Sequence, residues 1–215
     1  PHTGSDAAAI TTRADRDGDD FILNGVKHYI TTGKHAEVAI VFAVTDKAAG
    51  KKGISCFLVP TATPGYTVAR IERKMGQHAS DTAQIVFDNC RVPASALLGK
   101  EGEGYKIALS NLEAGRIGIA AQSVGMARAA FEASVAYAKE REQFGRPIGG
   151  FQAIKHKAAD MLVAVESARS ALYYAACIVD DQSDDLATNA SLAKAWCSEA
   201  YFKCAADNIQ IHGGV

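Results

Sequence analysis

A chain of 215 residues is long enough for one large domain or two modest ones, and its 48% apolar and 22% charged content is usual for a soluble globular protein. The formal net charge is -1 and no polybasic run stands out, so neither nucleic acid nor an anionic membrane surface is an expected partner. No apolar stretch approaches the roughly 20 residues that a bilayer requires, and Pro1 does not open a secretory signal, so no membrane association is predicted.

The first half of the chain is predicted to form short strands. Beta-branched and aromatic residues cluster in six stretches, with Gly, Pro and Asp between them. Residues 17–20 predict a turn after the first strand, and Asn24-Gly25 predicts a second tight turn. This spacing favours an antiparallel sheet, barrel or sandwich, with strands expected at 8–14, 21–31, 38–45, 54–59, 66–71 and 82–92.

The second half of the chain is predicted to be helical. After the glycine-rich stretch 99–104, Ile117, Val124 and Phe131 recur every seven residues, which is typical of a helix that is covered on more than one side. Helices are expected at about 105–141, 152–180 and 186–211. The predicted fold class is therefore α+β, with a β-domain at 1–97 and part of an antiparallel helical bundle at 98–215. Three helices are few for a bundle, so we expect them to pack on further helices or another subunit.

Several common sites are not supported by motifs. The sequence has no P-loop, no strand-borne G-x-G-x-x-G and no G-x-S-x-G. The five cysteines are odd in number and lack a C-x-x-C pair, which argues for a reducing compartment and against a disulfide framework or a zinc site. Cys197 and Cys204 could share a helix face with His156 or His212 nearby, but buried free thiols are the favoured interpretation, and no metal is predicted.

A series of segments, in fixed order, resembles the acyl-CoA dehydrogenase family over essentially the whole chain. Gly4-Ser5-Asp6 looks like the end of the family's T-E-P-x-A-G-S-D stretch, and residues 27–33 (K-H-Y-I-T-T-G) look like its K-x-[WYF]-I-T-N-G strand. The most specific match is 137–148 (Y-A-K-E-R-E-Q-F-G-R-P-I) with Phe151-Gln152. Other matching segments are 74–76, 80–82, 87–93, 116–122 and 210–214.

The resemblance implies an enzyme that uses FAD to convert a fatty acyl-CoA thioester into the trans-2-enoyl-CoA. In such enzymes a Glu carboxylate removes the α-proton while the β-hydrogen leaves as hydride to the flavin. Electrons then pass to an electron-transfer flavoprotein. The resemblance also implies a homo-oligomer, dimer or tetramer, in the bacterial cytoplasm or the mitochondrial matrix.

By the same resemblance, a set of positions is expected to bind FAD. Without the family context, each could be an ordinary turn, strand or helix-end residue, and Arg141 could simply be an exposed charge at a helix C-terminus. Arg141 is expected to reach the flavin pyrophosphate of a neighbouring subunit, because a guanidinium donates two parallel bonds to phosphate oxygens. The expected cofactor-binding residues are Ser5, Tyr29, Ile30, Thr31, Arg141, Gln143, Phe144, Gln152, Gln210 and Gly214.

Substrate contacts are expected from Ser5, Glu113 and Arg116, although Glu113 and Arg116 could equally form a surface ion pair. No catalytic base is assigned. Some family members carry the base just before the Arg of the first long helix, where this chain has Gly115. Most carry it beyond the I-x-G-G segment. We therefore expect the base downstream of Val215, and expect this fragment to be inactive by itself; both ends of the chain look cut.

Two other interpretations stay open. One is a related acyl-CoA oxidase or flavin monooxygenase of the same fold, and the other is a truncated, non-catalytic binding or assembly module. His78 stands where many relatives have Arg, and the sequence offers no physical account of that change.

Overall fold

The computed structural model describes residues 3, 6–181 and 185–214, apart from the side chain of Glu113. The chain divides into two compact units, Pro1–Leu109 and Ser110–Val215. The first unit is built from a sheet and the second from helices, so the predicted α+β class is confirmed. The strands of the first unit are β1 (Arg13–Asp17), β2 (Asp20–Thr31), β3 (Val38–Val44), β4 (Ile54–Pro60), β5 (Tyr66–Ile71), β6 (Thr82–Pro93) and β7 (Leu97–Leu98).

The seven strands form one open sheet in the order β5-β6-β2-β1-β3-β4-β7. Neighbours are antiparallel except β1 and β3, which are parallel and share one register pair, Arg13 with Val44. The sheet does not close into a barrel, because the strands at its two ends, β5 and β7, are not paired with each other. Its buried face is large and apolar, and Phe21 and Phe57 meet edge to face at 5.0 Å between ring centroids.

Two local predictions in this unit are wrong. Asn24-Gly25 is not a turn: β2 runs through it, and the pairing with β6 shifts register between Leu23 and Gly25. A Cβ on Gly25 would lie 2.8 Å from the Cα of Thr12, so this glycine serves a close backbone approach. The strand expected at 8–14 begins only at Arg13, because Ala7–Ala9 form a 3-10 turn capped by the Asp6 side chain, which accepts from the Ala8 N–H.

The helices are α1 (Gly104–Glu140), α2 (Gln152–Asp180) and α3 (Leu186–His212). Helices α2 and α3 pack through small residues such as Ala164, Ala168 and Ala200, which let the helices approach closely. Cys197 and Cys204 are fully buried there, and their thiols donate to the carbonyls of Ala168 and Met161. Among the described residues no cluster of three or more His, Cys, Asp or Glu could hold a metal ion.

Helix α2 corrects one expectation about membranes. By length and composition it could cross a bilayer, so the statement that no stretch approaches that length is wrong for this helix. A core helix of a soluble protein passes the same test, and α2 buries Met161, Val165 and Ala168 in the helical core. The finding is weak evidence for a membrane span, and its physical origin is the run of small and apolar residues that α2 uses to pack on α3.

A two-stranded hairpin follows α1. Strand β8 (Glu142–Gln143) pairs with β9 (Arg146–Pro147), and Phe144-Gly145 forms the two-residue loop between them. Both loop residues have positive φ, 55° and 74°, as a type I′ turn requires. The hairpin fixes the position of the side chains that follow α1. The sequence predicted only the end of a helix here and not the hairpin.

Candidate functional site

In the sheet unit, the end of β2 is an irregular and exposed strand terminus. The pairing of β2 with β6 shifts register between Lys27 and Ile30, so the chain bulges there. Tyr29 sits in this bulge with φ 58°, a conformation that costs an aromatic residue free energy, and its side chain is 72% exposed. Thr31 is also exposed, whereas Ile30 packs against the sheet core. Tyr29 and Thr31 therefore present a ring and a hydroxyl outward, and Ile30 anchors the strand between them.

The segment after β2 is tied to the start of β6 by Asp81. The main-chain oxygen of Asp81 accepts from the Thr32 N–H at 3.0 Å, and its carboxylate accepts from the Lys34 N–H at 2.9 Å. The second carboxylate oxygen lies 2.8 Å from Nδ1 of His35. The hydrogen bond from His35, and then that from Lys34, lowers the pKa of Asp81, so this carboxyl is ionised at neutral pH.

A cavity of about 240 Å³ lies beside β2. Its walls are largely apolar, with Ile30, Ile85 and Phe87 among them, yet Lys27 also lines it. Nζ of Lys27 donates to the Phe42 carbonyl at 2.7 Å, and burial lowers the pKa of Lys27 to about 8. Lys27 was matched only as the first residue of the segment 27–33 and was given no role, because one lysine in a strand carries no sequence signal of the gap between strands that it fills.

In the helical unit, a cavity of about 670 Å³ forms where the end of α1, the hairpin, the start of α2 and the end of α3 come together. Arg141, Gln143 and Phe144 line one side, and Phe144 is 92% exposed at the hairpin tip. Gly213 and Gly214 line another part, and a Cβ at either position would meet no atom within 4 Å. The backbone is thus open to close approach by a ligand.

His212 is a cavity-lining residue that the sequence analysis did not assign to the site. Its ring stacks on Tyr137 with centroids 4.2 Å apart and planes inclined by 22°. Nδ1 of His212 lies 2.8 Å from the Asn208 carbonyl, which can only accept, so Nδ1 carries the proton and Nε2 is left for another partner. The sequence feature that could have pointed to His212 is its position inside the I-H-G-G segment, between residues that match the family.

The structure brings together four of the predicted cofactor residues, Arg141, Gln143, Phe144 and Gly214, around this one cavity. Gln152 and Gln210 are exposed and do not line it, although their neighbours Ala153 and Ile211 do. Ser5 and the Glu113 side chain lie outside the described residues.

Arg116, the other residue expected to contact substrate, is half-buried on α1 next to Gly115. A Cβ added at Gly115 would have no described side chain within 4 Å, apart from those of its two chain neighbours. His78 lies in the loop between β5 and β6, where its Nε2 donates to the Lys74 carbonyl at 2.8 Å. This hydrogen bond closes the loop on itself.

Comparison with protein families matches both parts of the chain. Residues 1–90 match the acyl-CoA dehydrogenase middle domain, and residues 102–215 match the acyl-CoA dehydrogenase C-terminal domain. An acyl-CoA dehydrogenase of Bacillus subtilis is 48% identical over 214 residues, covering 100% of this chain and 56% of the relative. The mitochondrial short-chain specific acyl-CoA dehydrogenase of Homo sapiens is 45% identical, covering 100% of this chain and 52% of the relative.

Solved structures agree with these matches. Butyryl-CoA dehydrogenase from Megasphaera elsdenii superposes with a TM-score of 0.95 at 43% identity, over 100% of this chain and 56% of that one. A chain from work on the electron transferring flavoprotein of Acidaminococcus fermentans superposes with a TM-score of 0.94 at 47% identity, over 100% of this chain and 56% of that one.

The two units follow the order of the matching family domains, a middle domain and then a C-terminal domain. The chain belongs to the acyl-CoA dehydrogenase family, which confirms the resemblance seen in the sequence. Members of this family depend on FAD. The chain spans about half the length of the curated relatives that it matches.

Proposed function

We propose that the protein containing this chain is a short-chain acyl-CoA dehydrogenase, which oxidises an acyl-CoA thioester to the trans-2-enoyl-CoA with FAD. The observation that carries the proposal is the identity of 43–48% over the whole chain to relatives named acyl-CoA dehydrogenase, several of them short-chain specific. The preference for short acyl chains is taken from those names.

The described residues fit FAD in both units. A flat isoalloxazine ring needs an apolar surface and hydrogen-bond donors at its polar edge, and β2 ends in an exposed tyrosine ring and an exposed threonine hydroxyl, Tyr29 and Thr31. A dinucleotide also carries a diphosphate and an adenine. The cavity in the helical unit offers the Arg141 guanidinium, the open backbone of Gly213 and Gly214, and aromatic faces at Tyr137 and Phe144. The residues present therefore suit the cofactor that the family uses.

FAD, when bound, supplies the hydride acceptor for the β-hydrogen of the substrate. The residues of this chain would bind and orient the reactants. Thr31 would donate its hydroxyl to the polar edge of the ring, and Tyr29 would shield the ring face from water. Arg141 would neutralise diphosphate charge, in a neighbouring subunit if the family arrangement holds. Ser5, Glu113 and Arg116 would contact the acyl-CoA.

The base that removes the α-proton is proposed to lie downstream of Val215. Gly115 has no side chain to act at the alternative position on α1. Glu113 lies two residues away, about 200° around the helix, so it is a poor substitute. On this proposal, the 215 residues by themselves would contact FAD but would not dehydrogenate the substrate.

The proposed partners are an electron-transfer flavoprotein, as the electron acceptor, and further copies of the same chain in a dimer or tetramer. The similarity to a chain from the Acidaminococcus fermentans work supports the first, and the oligomers usual in the family support the second. The location is proposed to be the bacterial cytoplasm or the mitochondrial matrix, since relatives of both kinds match.

The test uses the protein expressed from its complete reading frame. We expect a bound flavin spectrum that bleaches anaerobically on addition of butyryl-CoA, with crotonyl-CoA as product, and much less bleaching with palmitoyl-CoA as the matched control. Electrons should reduce an electron-transfer flavoprotein faster than they reduce oxygen. Rapid hydrogen peroxide formation in air would favour the oxidase alternative, and a purified protein without flavin would contradict the proposal.

A further inference from the structure

Two strained residues frame the strand end that carries Tyr29 and Thr31. Tyr29 has φ 58° and Thr32 has φ 60°, and neither is glycine. Such conformations persist only where surrounding contacts hold them, because the free chain would relax to negative φ. The contacts that hold this segment therefore determine where the ring of Tyr29 and the hydroxyl of Thr31 lie.

Asp81, the residue just before β6, supplies three of those contacts. Its main-chain oxygen accepts from the Thr32 N–H, and its carboxylate accepts from the Lys34 N–H and the His35 ring, which places three bonds on four consecutive residues. The Asp81 side chain is only 11% exposed, whereas that of His35 is 66% exposed, so the carboxylate is the fixed member of the pair. One residue later, Thr82 pairs with Thr31 in the β2–β6 ladder.

We infer that Asp81 is a positioning residue for the flavin: it clamps the segment after β2, and so holds Tyr29 and Thr31 in the geometry that the ring requires. The inference rests on the proposed function of this strand end. Asp81 acts through its neighbours and need not touch the cofactor. Gly33 contributes to the same clamp, because a Cβ at this position would lie 2.8 Å from the Cβ of Ala83 and would push the segment away from β6.

A clamp of this kind predicts effects that a purely stabilising aspartate would not produce. Displacing the donors at the edge of a flavin ring changes its reduction potential and lowers kcat, whereas general destabilisation lowers only the melting temperature and the yield of holoprotein. The acyl-CoA contacts proposed for Glu113 and Arg116 are carried by α1 and not by β2 or β6, so the KM for substrate should change little. The split between kcat and KM, together with the potential, separates positioning from stability.

The test compares Asp81→Ala and Asp81→Asn with Asp88→Ala in the protein expressed from its complete reading frame. Asp88 is an exposed residue of β6, seven positions further along the chain, and its carboxylate accepts from the adjacent Asn89 side chain, so it is the matched control. We expect Asp81→Ala to shift the flavin potential and to lower kcat roughly ten- to a hundredfold, with KM within twofold. Asp81→Asn, which keeps one acceptor oxygen, should show a smaller effect of the same kind, and Asp88→Ala none.

The outcomes separate two failures. A wild-type protein that binds flavin and an Asp81→Ala variant with unchanged potential and kcat would overturn this inference alone. A wild-type protein that binds no flavin would overturn the proposed function and the inference with it. If Asp81→Ala does not fold, Asp81→Asn and His35→Ala carry the test, and an unchanged flavin potential and kcat in both variants would also overturn the clamp.

Discussion

Lys27 is a cation in a largely apolar cavity, and its titration should be visible in the stability of the fold. Burial lowers its pKa from 10.5 to about 8, so between these values the unfolded chain binds a proton that the folded chain does not. Stability should therefore rise with pH across this window. Relative to Lys27→Met, the wild type should gain up to about 3 kcal/mol between pH 8 and pH 10.5, measured by urea unfolding at several pH values.

The Lys27→Met comparison cancels the other groups that titrate in the same range, including the buried thiols of Cys56 and Cys90, whose pKa burial raises. Parallel stability curves for the two proteins would contradict the predicted shift. At neutral pH, the difference in unfolding free energy between the wild type and Lys27→Met also includes the cost of the Phe42 carbonyl, which loses its Lys27 donor in the variant. The change of this difference with pH is therefore the quantity that tests the pKa shift.

Arg141 should contribute to cofactor affinity through its charge and its planar geometry. A guanidinium bonded to a diphosphate contributes about 1.5–3 kcal/mol, so Arg141→Ala should weaken FAD binding roughly ten- to a hundredfold. Arg141→Lys should recover part of the loss, because it keeps the charge without the two-pronged geometry. Equilibrium titration of apoprotein with FAD measures this. Arg128, which pairs with Glu132 on the exposed side of α1, is the control, and equal losses in Arg128→Ala and Arg141→Ala would contradict the assignment.

At the scale of elements, the hairpin after α1 depends on one glycine. Gly145 has φ 74°, so Gly145→Ala should cost about 1 kcal/mol of stability and displace Phe144 from the cavity. Gly150→Ala is the matched control, because Gly150 does not have positive φ and a Cβ there would come no closer than 3.6 Å to Arg146. Thermal unfolding and FAD titration should both separate the two variants, and equal behaviour would argue against a role of the turn.

Periodicity in the sequence predicted most elements because each buries one face of its own. The helices at 152–180 and 186–211 agree with α2 and α3 to within one residue, and the strand at 66–71 agrees with β5. The failures occurred where tertiary contact decides the local structure. Asn24-Gly25 has the composition of a turn, but Gly25 is required by its approach to Thr12 inside a continuous strand.

The candidate site was only partly accessible from the sequence for the same reason. Arg141, Gln143 and Phe144 are adjacent in the chain, so one motif indicated them together. Asp81 and His35 meet through strand pairing, 46 residues apart, and Lys27 meets Phe42 across a gap in the sheet. Such contacts follow from the register and order of the strands, which periodicity does not determine.

At the scale of the whole molecule, the helical unit carries large apolar side chains on its outer surface. Phe202 and Ile209 are 74% and 64% exposed, and they lie seven residues apart on one face of α3, opposite the side that packs on α2. Surfaces of this kind are typical of contacts between subunits or with further helices. That three helices do not complete a bundle stays a prediction, and this face of α3 is where we expect further helices or another subunit to pack.

If this face of α3 is covered by another copy of the chain, a single charge should break the assembly. Phe202→Asp in the protein expressed from its complete reading frame should shift the dimer or tetramer towards a smaller species, because an unpaired carboxylate in an apolar contact is strongly unfavourable. Lys194→Asp, at an exposed position about two turns earlier on the same helix, should leave the assembly intact. Native mass spectrometry measures the states, and circular dichroism checks that both variants fold. An unchanged oligomer in Phe202→Asp would mean that this face contacts helices of the same subunit or solvent instead.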